Sequence, residues 1–457
     1  MTRRELLAAT AAGALGAQAP RRRPNILLIL ADDLGYGDLG CYGQRQILTP
    51  NLDRLAAEGI RFTQGYAGST VCAPSRCCLF TGLHTGHARI RGNGGGVSLQ
   101  ADDLTVTEVL KKAGYRTGMF GKWALGGLGN TGYPTKKGFD EWFGYFSQTH
   151  AHTYYPEHLL NGDREVLVRG NFGAFKKDYA PDLFTERALQ FLAKKDGRPF
   201  FLYLPYPIPH ANNELGRDTG DGIECPTEEP YADKPWPKLE RKFAATITRL
   251  DEYAGRILTK LKELGEEENT LVLVSSDNGP HQEGGHSPKF FESGGALRGI
   301  KRDLYEGGIR VPLIARWKGR IAPGQVSDFP WAFWDLLPTA AELAGESVPQ
   351  GRDGMSVVPT LLGRAQAPHS TFYWEFHERR FSQALRAGDW KLIRQGGGRQ
   401  ELFHLRQDGS ERNDVAAKYP SEAARLGALM DEARSDSPDF PVKRALLPPT
   451  ASRRAAV

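Results

Sequence analysis

The sequence contains few cysteines, five in 457 residues, and they lie at irregular spacing. An odd number of cysteines without a regular pattern does not define a disulfide framework, and no Cys-x-x-Cys pair or histidine cluster completes a zinc pattern. Three of the five nevertheless fall within one stretch, GSTVCAPSRCCLFTG at residues 68–82. This concentration requires an explanation other than cross-linking or zinc binding.

The chain also lacks a large excess of charge and a long apolar run. Its formal net charge is +5, with lysine and arginine scattered rather than gathered in a basic, aromatic-rich stripe. Such a charge permits an acidic ligand but does not indicate nucleic-acid binding. No apolar run reaches the length of a membrane-spanning helix. With 40% apolar and 25% charged residues, the composition is that of an ordinary globular protein.

The first 19 residues predict an export signal. Arg3 and Arg4 precede a short stretch rich in Ala, Leu and Gly, which ends in a small-x-small cleavage pattern at residues 17–19. This order is typical of a bacterial twin-arginine signal, which engages the twin-arginine export machinery and carries folded cargo. We therefore expect a periplasmic or secreted protein.

Short, fully apolar segments alternate with amphipathic ones. Strands buried on both faces, as in a parallel sheet, are predicted at 24–31, 199–206 and 270–276. Helices are predicted at 50–58, 103–113, 182–195 and 238–264. The alternation indicates an α/β fold with a mostly parallel central sheet and helices on both faces. Residues 125–180 and 207–236 predict mainly loops.

The pattern changes after a helix predicted at 331–345. The segments TFYWEF, FSQALRAGDWKLIRQ and QELFHLR predict short antiparallel strands, and a closing helix follows near 420–435. We therefore divide the chain after the signal into a large domain at 20–364, a small α+β subdomain with an antiparallel sheet at 365–436, and a loose tail at 437–457.

Polar side chains follow each predicted buried strand. Asp32 and Asp33 follow the first strand, His210 follows the second, and Asp277 and Asn278 follow the third. In open α/β sheets, ligands bind beyond the carboxyl ends of the strands. Three carboxylates and an amide are hard oxygen donors, which suit Ca²⁺ or Mg²⁺ rather than zinc. The sequence therefore predicts a divalent-cation site at this edge of the sheet.

The cysteine-rich stretch predicts the start of a helix. Pro74 and Ser75 favour a helix N-terminus, which places Cys72 where backbone amides and the helix dipole favour an anion. Arg76 adds a fixed positive charge. Cys77 and Cys78 lie further into the helix, and we expect them to be buried as small apolar side chains.

The segment CAPSR followed by TG resembles the signature C-x-P-S-R-x-x-x-(L/M)-T-G of the formylglycine-dependent sulfatases, arylsulfatase-like members of the alkaline phosphatase superfamily. Phe80 stands where that signature has Leu or Met. Other segments resemble the family in the same order, so the resemblance covers nearly the whole chain after the signal. They are NILLILADDLGYGDLGCYG, GKWALGG, FLYLPYPIPH, SSDNG, LRGIKRDLYEGGIRVPLIARW and ELFHLRQDGSERNDVA.

The resemblance implies an alkaline phosphatase-like fold and a role for each matching residue. Cys72 would be converted to formylglycine (3-oxoalanine) by the formylglycine-generating enzyme. Arg76 would steady this residue and the metal site, and Lys122, His210 and Lys301 would hold the sulfate group. Ca²⁺, or alternatively Mg²⁺, would be bound by Asp32, Asp33, Cys72, Asp277 and Asn278.

The implied chemistry suits a sulfate ester. An aldehyde at residue 72 would hydrate to a geminal diol, one hydroxyl of which would attack sulfur and expel the alcohol. Loss of the proton from the second hydroxyl would release sulfate and restore the aldehyde. The cation and the lysines would stabilise oxygens on which charge develops. His210 would act as the general acid that protonates the leaving alcohol.

One position departs from the family pattern. Ala124 stands where the G-K-W-H-L-G element has a histidine, which the resemblance implicates in deprotonating the second hydroxyl. Either another group removes this proton here or the step is slower, and His150, His152, His281 and His286 are the candidates for such a group. We expect His286 to lie in the pocket, since it falls between the metal segment and Lys301.

Further substrate contacts are predicted from position in the sequence. We expect His150, His286, Trp123 and His377 to contact the substrate, Trp123 because it adjoins Lys122. Glu378, next to His377, could also reach the substrate, although both could equally lie at the edge of a strand.

Together these features predict an exported sulfatase that hydrolyses the sulfate ester of a carbohydrate and accepts aryl sulfates as artificial substrates. One alternative is a phosphate or phosphonate ester hydrolase of the same fold. The other is a non-catalytic glycan-binding protein, which only Ala124 favours, because the intact CAPSR motif serves modification rather than binding.

Overall fold

The computed structural model describes residues 22–94, 96–378 and 380–442. The predicted export signal lies outside these residues. Within the described ranges, no helix combines the length and the apolar character that crossing a membrane requires.

The described residues form helices and strands that alternate through most of the chain. The α-helices are α1 (Pro50–Ala57), α2 (Cys72–Thr81), α3 (Val106–Lys112), α4 (Ala180–Ala193), α5 (Asn213–Thr219), α6 (Lys238–Glu263), α7 (Glu306–Ile309), α8 (Leu336–Ala344), α9 (Val358–Leu361) and α10 (Pro420–Glu432). The strands are β1 (Asn25–Asp32), β2 (Ile60–Phe62), β3 (Gly65–Tyr66), β4 (Arg116–Gly121), β5 (Glu141–Gly144), β6 (His158–Asn161), β7 (Arg164–Leu167), β8 (Phe200–Pro209), β9 (Thr270–Ser276), β10 (Leu313–Arg316), β11 (Gln325–Ser327), β12 (Trp331–Ala332), β13 (Phe372–Phe376), β14 (Ser382–Ala387), β15 (Trp390–Arg394) and β16 (Gln400–His404).

A 10-stranded mixed sheet forms the centre of the molecule, in the order β11-β2-β10-β9-β1-β8-β4-β5-β6-β7. Its central strands β9, β1, β8, β4 and β5 run parallel, while β10 on one side and β6 and β7 on the other are antiparallel to their neighbours. The predicted mostly parallel sheet is therefore confirmed. The apolar sequences of β1, β8 and β9 follow from their position, since central strands are covered on both faces.

Helices cover both faces of this sheet, as predicted. Alternate side chains of β1 enter two separate apolar cores, Ile26 and Leu28 on one face and Leu27 and Ile29 on the other. The first core is closed by α2, α3 and α8, and the second by α1, α4 and α6. Helix α6 is long and strongly amphipathic, which explains why it was readily predicted.

The predicted C-terminal antiparallel sheet is also confirmed, in the order β13-β14-β15-β16. One face carries Phe372, Trp374 and Phe403 into the first core of the large domain, and the other packs on α10. Of the tail predicted as loose at 437–457, only residues 437–442 are described; there Phe440 is 8% exposed, and its ring lies 5.3 Å from that of His377.

The two regions predicted mainly as loops contain more regular structure than expected. Residues 125–180 include β5, β6 and β7, which extend one edge of the sheet. Residues 207–236 include the end of β8 and helix α5. These elements are short, so their periodicity is too brief to be recognised in the sequence.

Candidate active site

Polar side chains from neighbouring parallel strands meet at one edge of the central sheet. Asp32 ends β1 opposite the last residue of β8, so His210, which follows β8, lies close to it. The end of β1 is also paired with the last residue of β9, after which Asp277 follows. Lys122 follows β4, the neighbour of β8. The register of the sheet therefore gathers side chains that are far apart in sequence.

Cys72 is the first residue of α2 and lies within this cluster. It is 1% exposed, and its Sγ lies 3.2 Å from Asp32 Oδ1. The turn before the helix is fixed by Ser75, whose hydroxyl accepts a hydrogen bond from the Gly68 amide. Burial, followed by the charge of Asp32, raises the pKa of the Cys72 thiol well above its usual value. An unmodified Cys72 would therefore be a poor thiolate nucleophile.

Arg76, one turn further along α2, links two of the strand ends. Its Nε and Nη2 donate to Asp277 Oδ2 at 3.0 and 2.8 Å, and its Nη1 donates to the Lys122 carbonyl at 2.8 Å. Arg76 is fully buried, so these bonds compensate for the loss of water around its charge. Cys77 and Cys78, the next residues, are buried in the first core, as predicted.

The donor atoms at this edge suit a divalent cation. One ligand atom each from Asp32, Asp33, Cys72 and His210 lies within 4.8 Å of the others. Asn278 donates through Nδ2 to Asp33 Oδ1 at 2.7 Å, while its buried Oδ1 has no hydrogen-bond partner in the described part of the chain. A buried acceptor left without a donor indicates a missing partner, and a hard cation among carboxylates would supply it.

Two lysines contact the same carboxylates. Lys122 Nζ lies 2.5 Å from Asp32 Oδ2, and Lys301 Nζ lies 2.8 Å from Asp33 Oδ2. His210 Nε2 lies 3.6 Å from Asp33 Oδ2, and its Nδ1 bonds the Ala211 carbonyl at 2.6 Å. All three are buried. The two lysines give this side of the cluster positive charges that could bind an anionic group next to residue 72.

The pKa shifts follow from this packing of charges. Burial would raise the pKa of Asp32, but the positive charges led by Lys122 outweigh it and hold that pKa well below its usual value. Burial, followed by the charge of Asp32, raises the pKa of Asp277 to about 7. The carboxyl groups of Asp32 and Asp277 therefore have pKa values shifted in opposite directions, although both belong to the same cluster.

Glu283 also belongs to this site, although we did not predict it. Its Oε2 lies 3.1 Å from Lys301 Nζ and 3.4 Å from His210 Nε2, and its Oε1 accepts a hydrogen bond from Arg302. Arg302 has a φ of 76°, a left-handed conformation that is rare for arginine. The signal available in the sequence was only the proximity of Glu283 to the SSDNG segment.

The histidines differ from our prediction. His150 stacks on His158, with ring centroids 5.0 Å apart, and accepts a hydrogen bond from the Phe146 amide. His286 is buried against Phe243, with ring centroids 3.6 Å apart, and bonds Glu240. Neither contacts the cluster within the described residues, so the structure gives no support to the substrate contacts predicted for them.

His152, rather than His150 or His286, lies next to the cluster. Its ring stacks on that of His210, with centroids 4.9 Å apart and planes 17° apart. His152 lies in the same single-turn 3₁₀ helix as His150, at 150–152. Because residues two apart in a turn point in different directions, the sequence could not decide which of the two faces the site.

Trp123 and His377 also lie elsewhere. Trp123 is 3% exposed, packs edge to face against Phe80, and donates its Nε1–H to the Gly132 carbonyl, so it belongs to the core and not to the pocket wall. His377 bonds Glu375 at 2.9 Å, a contact within the C-terminal sheet. The adjacent Glu378 reaches nearer to the site.

Glu378 connects to the cluster through two contacts. Its Oε1 accepts from the Asn93 amide at 2.8 Å, and Asn93 Oδ1 accepts from the amide of Ala73, next to Cys72. Its Oε2 lies 3.6 Å from Arg302 Nε.

Comparison with known proteins identifies the family to which this arrangement is similar. The family model described as Sulfatase matches residues 24–346, and the model of the N-sulphoglucosamine sulphohydrolase C-terminal region matches residues 300–434. Arylsulfatase A of Homo sapiens is 35% identical over 452 residues, covering 91% of this chain and 80% of the relative. N-acetylgalactosamine-6-sulfatase of Canis lupus familiaris is 35% identical over 410 residues, covering 81% and 72%.

Solved structures share the fold over almost the whole chain. The crystal structure of Ps i-CgsB in complex with k-i-k-neocarrahexaose matches with a TM-score of 0.77 and 28% sequence identity. The match covers 92% of this chain and 94% of that one.

Proposed function

The chain belongs to the sulfatase family of sulfuric ester hydrolases, and on that premise we propose that it hydrolyses the sulfate ester of a carbohydrate, using a formylglycine made from Cys72 and a bound Ca²⁺. The observation that carries the proposal is the convergence of Cys72, three aspartates and two lysines at one sheet edge, with Cys72 Sγ 3.2 Å from Asp32. A carbohydrate substrate is supported by the names of the relative active on N-acetylgalactosamine and of the oligosaccharide complex.

Each residue of the cluster has a task in this proposal. Asp32, Asp33, Asp277 and Asn278, with the modified residue 72, would hold the cation. A bound Ca²⁺ would supply a fixed positive charge next to oxygens that become negative in the reaction. Lys122, Lys301 and His210 would bind the sulfate oxygens, and Arg76 fixes the start of α2 relative to Asp277.

We propose that His210 protonates the leaving alcohol. Its Nδ1 bonds the Ala211 carbonyl, so the proton of the neutral ring lies on Nδ1 and the Nε2 atom faces the cluster. Burial, followed by the charge of Lys301, lowers the pKa of His210 well below its usual value. A proton that Nε2 gains when the substrate arrives would therefore be readily donated.

The proposal is tested by the state of residue 72. The protein should be produced with and without a formylglycine-generating enzyme, and the tryptic peptide 62–76 examined by mass spectrometry. We expect the aldehyde form only with that enzyme, and sulfate release from nitrophenyl sulfate and from sulfated saccharides only in that preparation. The variant Cys72→Ala is the matched inactive control. Faster turnover of nitrophenyl phosphate than of the sulfate would contradict the proposal.

We further propose that the protein is exported through the twin-arginine machinery to the periplasm or medium. The support is the order of Arg3, Arg4 and the cleavage pattern at residues 17–19. Fusion of the first residues to a reporter should give export that is lost when both arginines become lysine. Unchanged export of that variant would contradict the proposal.

A further inference from the structure

Sulfate release from residue 72 requires a proton acceptor as well as a proton donor. This inference rests on the proposed function. One proton goes to the leaving alcohol, and another must be removed from the hydroxyl that remains on residue 72. Arg76, Lys122 and Lys301 are cationic side chains that already donate to the carboxylates of Asp277, Asp32 and Asp33, so none of them offers a proton acceptor. In the proposed function, the aspartates would hold the cation and His210 would serve the alcohol.

Two of the remaining imidazoles near the cluster are already engaged or enclosed. Both ring nitrogens of His281 have partners, since Nε2 bonds the Pro209 carbonyl and Nδ1 accepts from the Glu283 amide. The side chain of His286 is 0% exposed and is covered by Phe243. Neither ring can accept a proton from residue 72.

His152 is the imidazole that remains. Its Nδ1 lies 2.9 Å from Glu214 Oε2, and its ring stacks on His210, a ring nitrogen of which lies within 4.8 Å of Cys72 Sγ. The side chain is 14% exposed, and among the described residues no hydrogen bond involves its Nε2. With the proton held on Nδ1 by Glu214, Nε2 has a free lone pair.

The carboxylate that orients His152 is itself fixed by the fold. Glu214 lies in the first turn of α5, two residues after Asn212, whose side chain caps the helix by accepting from the Leu215 amide at 3.0 Å. Asn212 in turn donates to Glu224 at 2.9 Å. Burial, followed by the charge of Lys122, lowers the pKa of His152, so the ring is neutral and able to accept a proton at neutral pH.

We propose that His152, oriented by Glu214, accepts the proton from the second hydroxyl of residue 72 and so releases sulfate. In this step the O–H bond breaks, and its proton goes to His152 Nε2. The O–H electron pair forms the new C=O bond, while the C–O bond to sulfate breaks and its electron pair leaves with sulfate. His152 then returns the proton to water. This assignment supplies a proton acceptor in a chain that has Ala124 where the G-K-W-H-L-G element has a histidine.

The test compares three variants of the formylglycine-containing protein with nitrophenyl sulfate. His152→Ala should lower steady-state kcat by about 100-fold or more and lower KM with it, leaving kcat/KM nearly unchanged, because only the sulfate release that follows nitrophenol departure is slowed. The first turnover should still release one equivalent of nitrophenol. Peptide 62–76 from the quenched protein should then be heavier than the aldehyde form by a bound sulfate group, a readout independent of turnover.

Glu214→Gln should give the same burst and the same modified peptide with a smaller loss of kcat, which keeps the test available if His152→Ala is unstable. His150→Ala, from the same 3₁₀ turn but packed on His158, should behave like the wild type. A kcat within twofold of wild type for His152→Ala, or a lowered kcat without sulfate on residue 72, would overturn the inference. A wild-type protein without sulfatase activity would instead overturn the proposed function.

Discussion

At the scale of single residues, Asn278 divides the two ends of its side chain between two tasks. Its Nδ2 donates to Asp33 at 2.7 Å and to the Gly279 carbonyl at 2.9 Å, while the buried Oδ1 accepts no hydrogen bond from the described residues. A buried acceptor without a partner costs about 1–3 kcal/mol. Coordination of a cation by Oδ1 would remove this cost, so metal binding should stabilise the fold.

Replacement of this amide should therefore reduce the increase in the free energy of unfolding that Ca²⁺ binding gives. We expect Asn278→Ala to weaken Ca²⁺ binding by at least about tenfold, since even residues that only support a ligand contribute that much. In the wild type, Ca²⁺ at about 100 times its Kd should raise the free energy of unfolding by about 2.7 kcal/mol. Thermal unfolding with and without Ca²⁺ measures both effects. Asn161→Ala, at an exposed asparagine, is the control. An undiminished calcium effect in Asn278→Ala would remove this residue from the ligand set.

Asp277 makes calcium binding dependent on pH. Because burial, followed by the charge of Asp32, raises its pKa to about 7, the calcium-free protein holds a proton there below that pH. This proton must leave when the cation binds, so Ca²⁺ affinity should fall by up to about tenfold per pH unit below 7. The same raised pKa should make the calcium-free fold less stable as pH rises from about 4 to 7. Over this range the folded protein keeps a proton on Asp277 that the unfolded chain loses.

Calorimetric titration with Ca²⁺ on either side of pH 7 measures the first effect, and repeating it in buffers of different ionisation enthalpy counts the protons released. Asp32 should contribute little in this range, because its pKa is held well below the usual value. Equal affinity and no proton release across the range would contradict the assignment to Asp277.

At the scale of secondary-structure elements, the site depends on close contact between the segment after β9 and the start of α7. A Cβ built on Gly279 would lie 1.9 Å from the Gly307 carbonyl oxygen, a distance that no packed structure tolerates. Gly279→Ala should therefore displace Asp277 and Asn278 and lower both Ca²⁺ affinity and the melting temperature. Gly94→Ala, where a Cβ would meet no atom within 4 Å, is the matched control. A Gly279→Ala protein with normal calcium binding would show that the segment can shift without loss.

The elements also show how far the sequence could predict this site. Strands β1, β8 and β9 are apolar on both faces, so their ends and the residues after them could be located from the sequence. Side chains on irregular segments could not be located, because no periodicity fixes their direction. For this reason the sequence could not show that His152 rather than His150 lies against the cluster. Glu283 was missed because it lies in the irregular segment after β9.

Trp123 shows a different limit of the sequence. It adjoins Lys122, but successive residues at a strand end point to opposite sides, so its ring enters the core while Lys122 faces the site. Proximity in sequence was therefore a poor guide to a shared pocket, whereas the pairing of strand ends was a good one.

At the scale of the whole molecule, a buried lysine connects the C-terminal sheet to the large domain. Lys391 of β15 lies 2.9 Å from Glu306 and 2.8 Å from Glu411, and all three side chains are inaccessible to solvent. Glu306 begins α7, which directly follows the segment carrying Lys301, and its other oxygen accepts from Tyr66 at 2.7 Å. The C-terminal sheet therefore supports the elements that form the site, and we expect both parts to unfold together.

Removal of this charge tests that expectation. Lys391→Met leaves two carboxylates buried side by side, and it should lower the free energy of unfolding by about 3–5 kcal/mol. Urea unfolding followed by tryptophan fluorescence and by residual activity should show one shared transition at a lower midpoint. Lys318→Met is the control, because Lys318 is 53% exposed and its pair with Glu267 is screened by water. If instead activity survived a separate loss of the C-terminal sheet, the large domain would form the site without this support, and the coupling through Glu306 would be wrong.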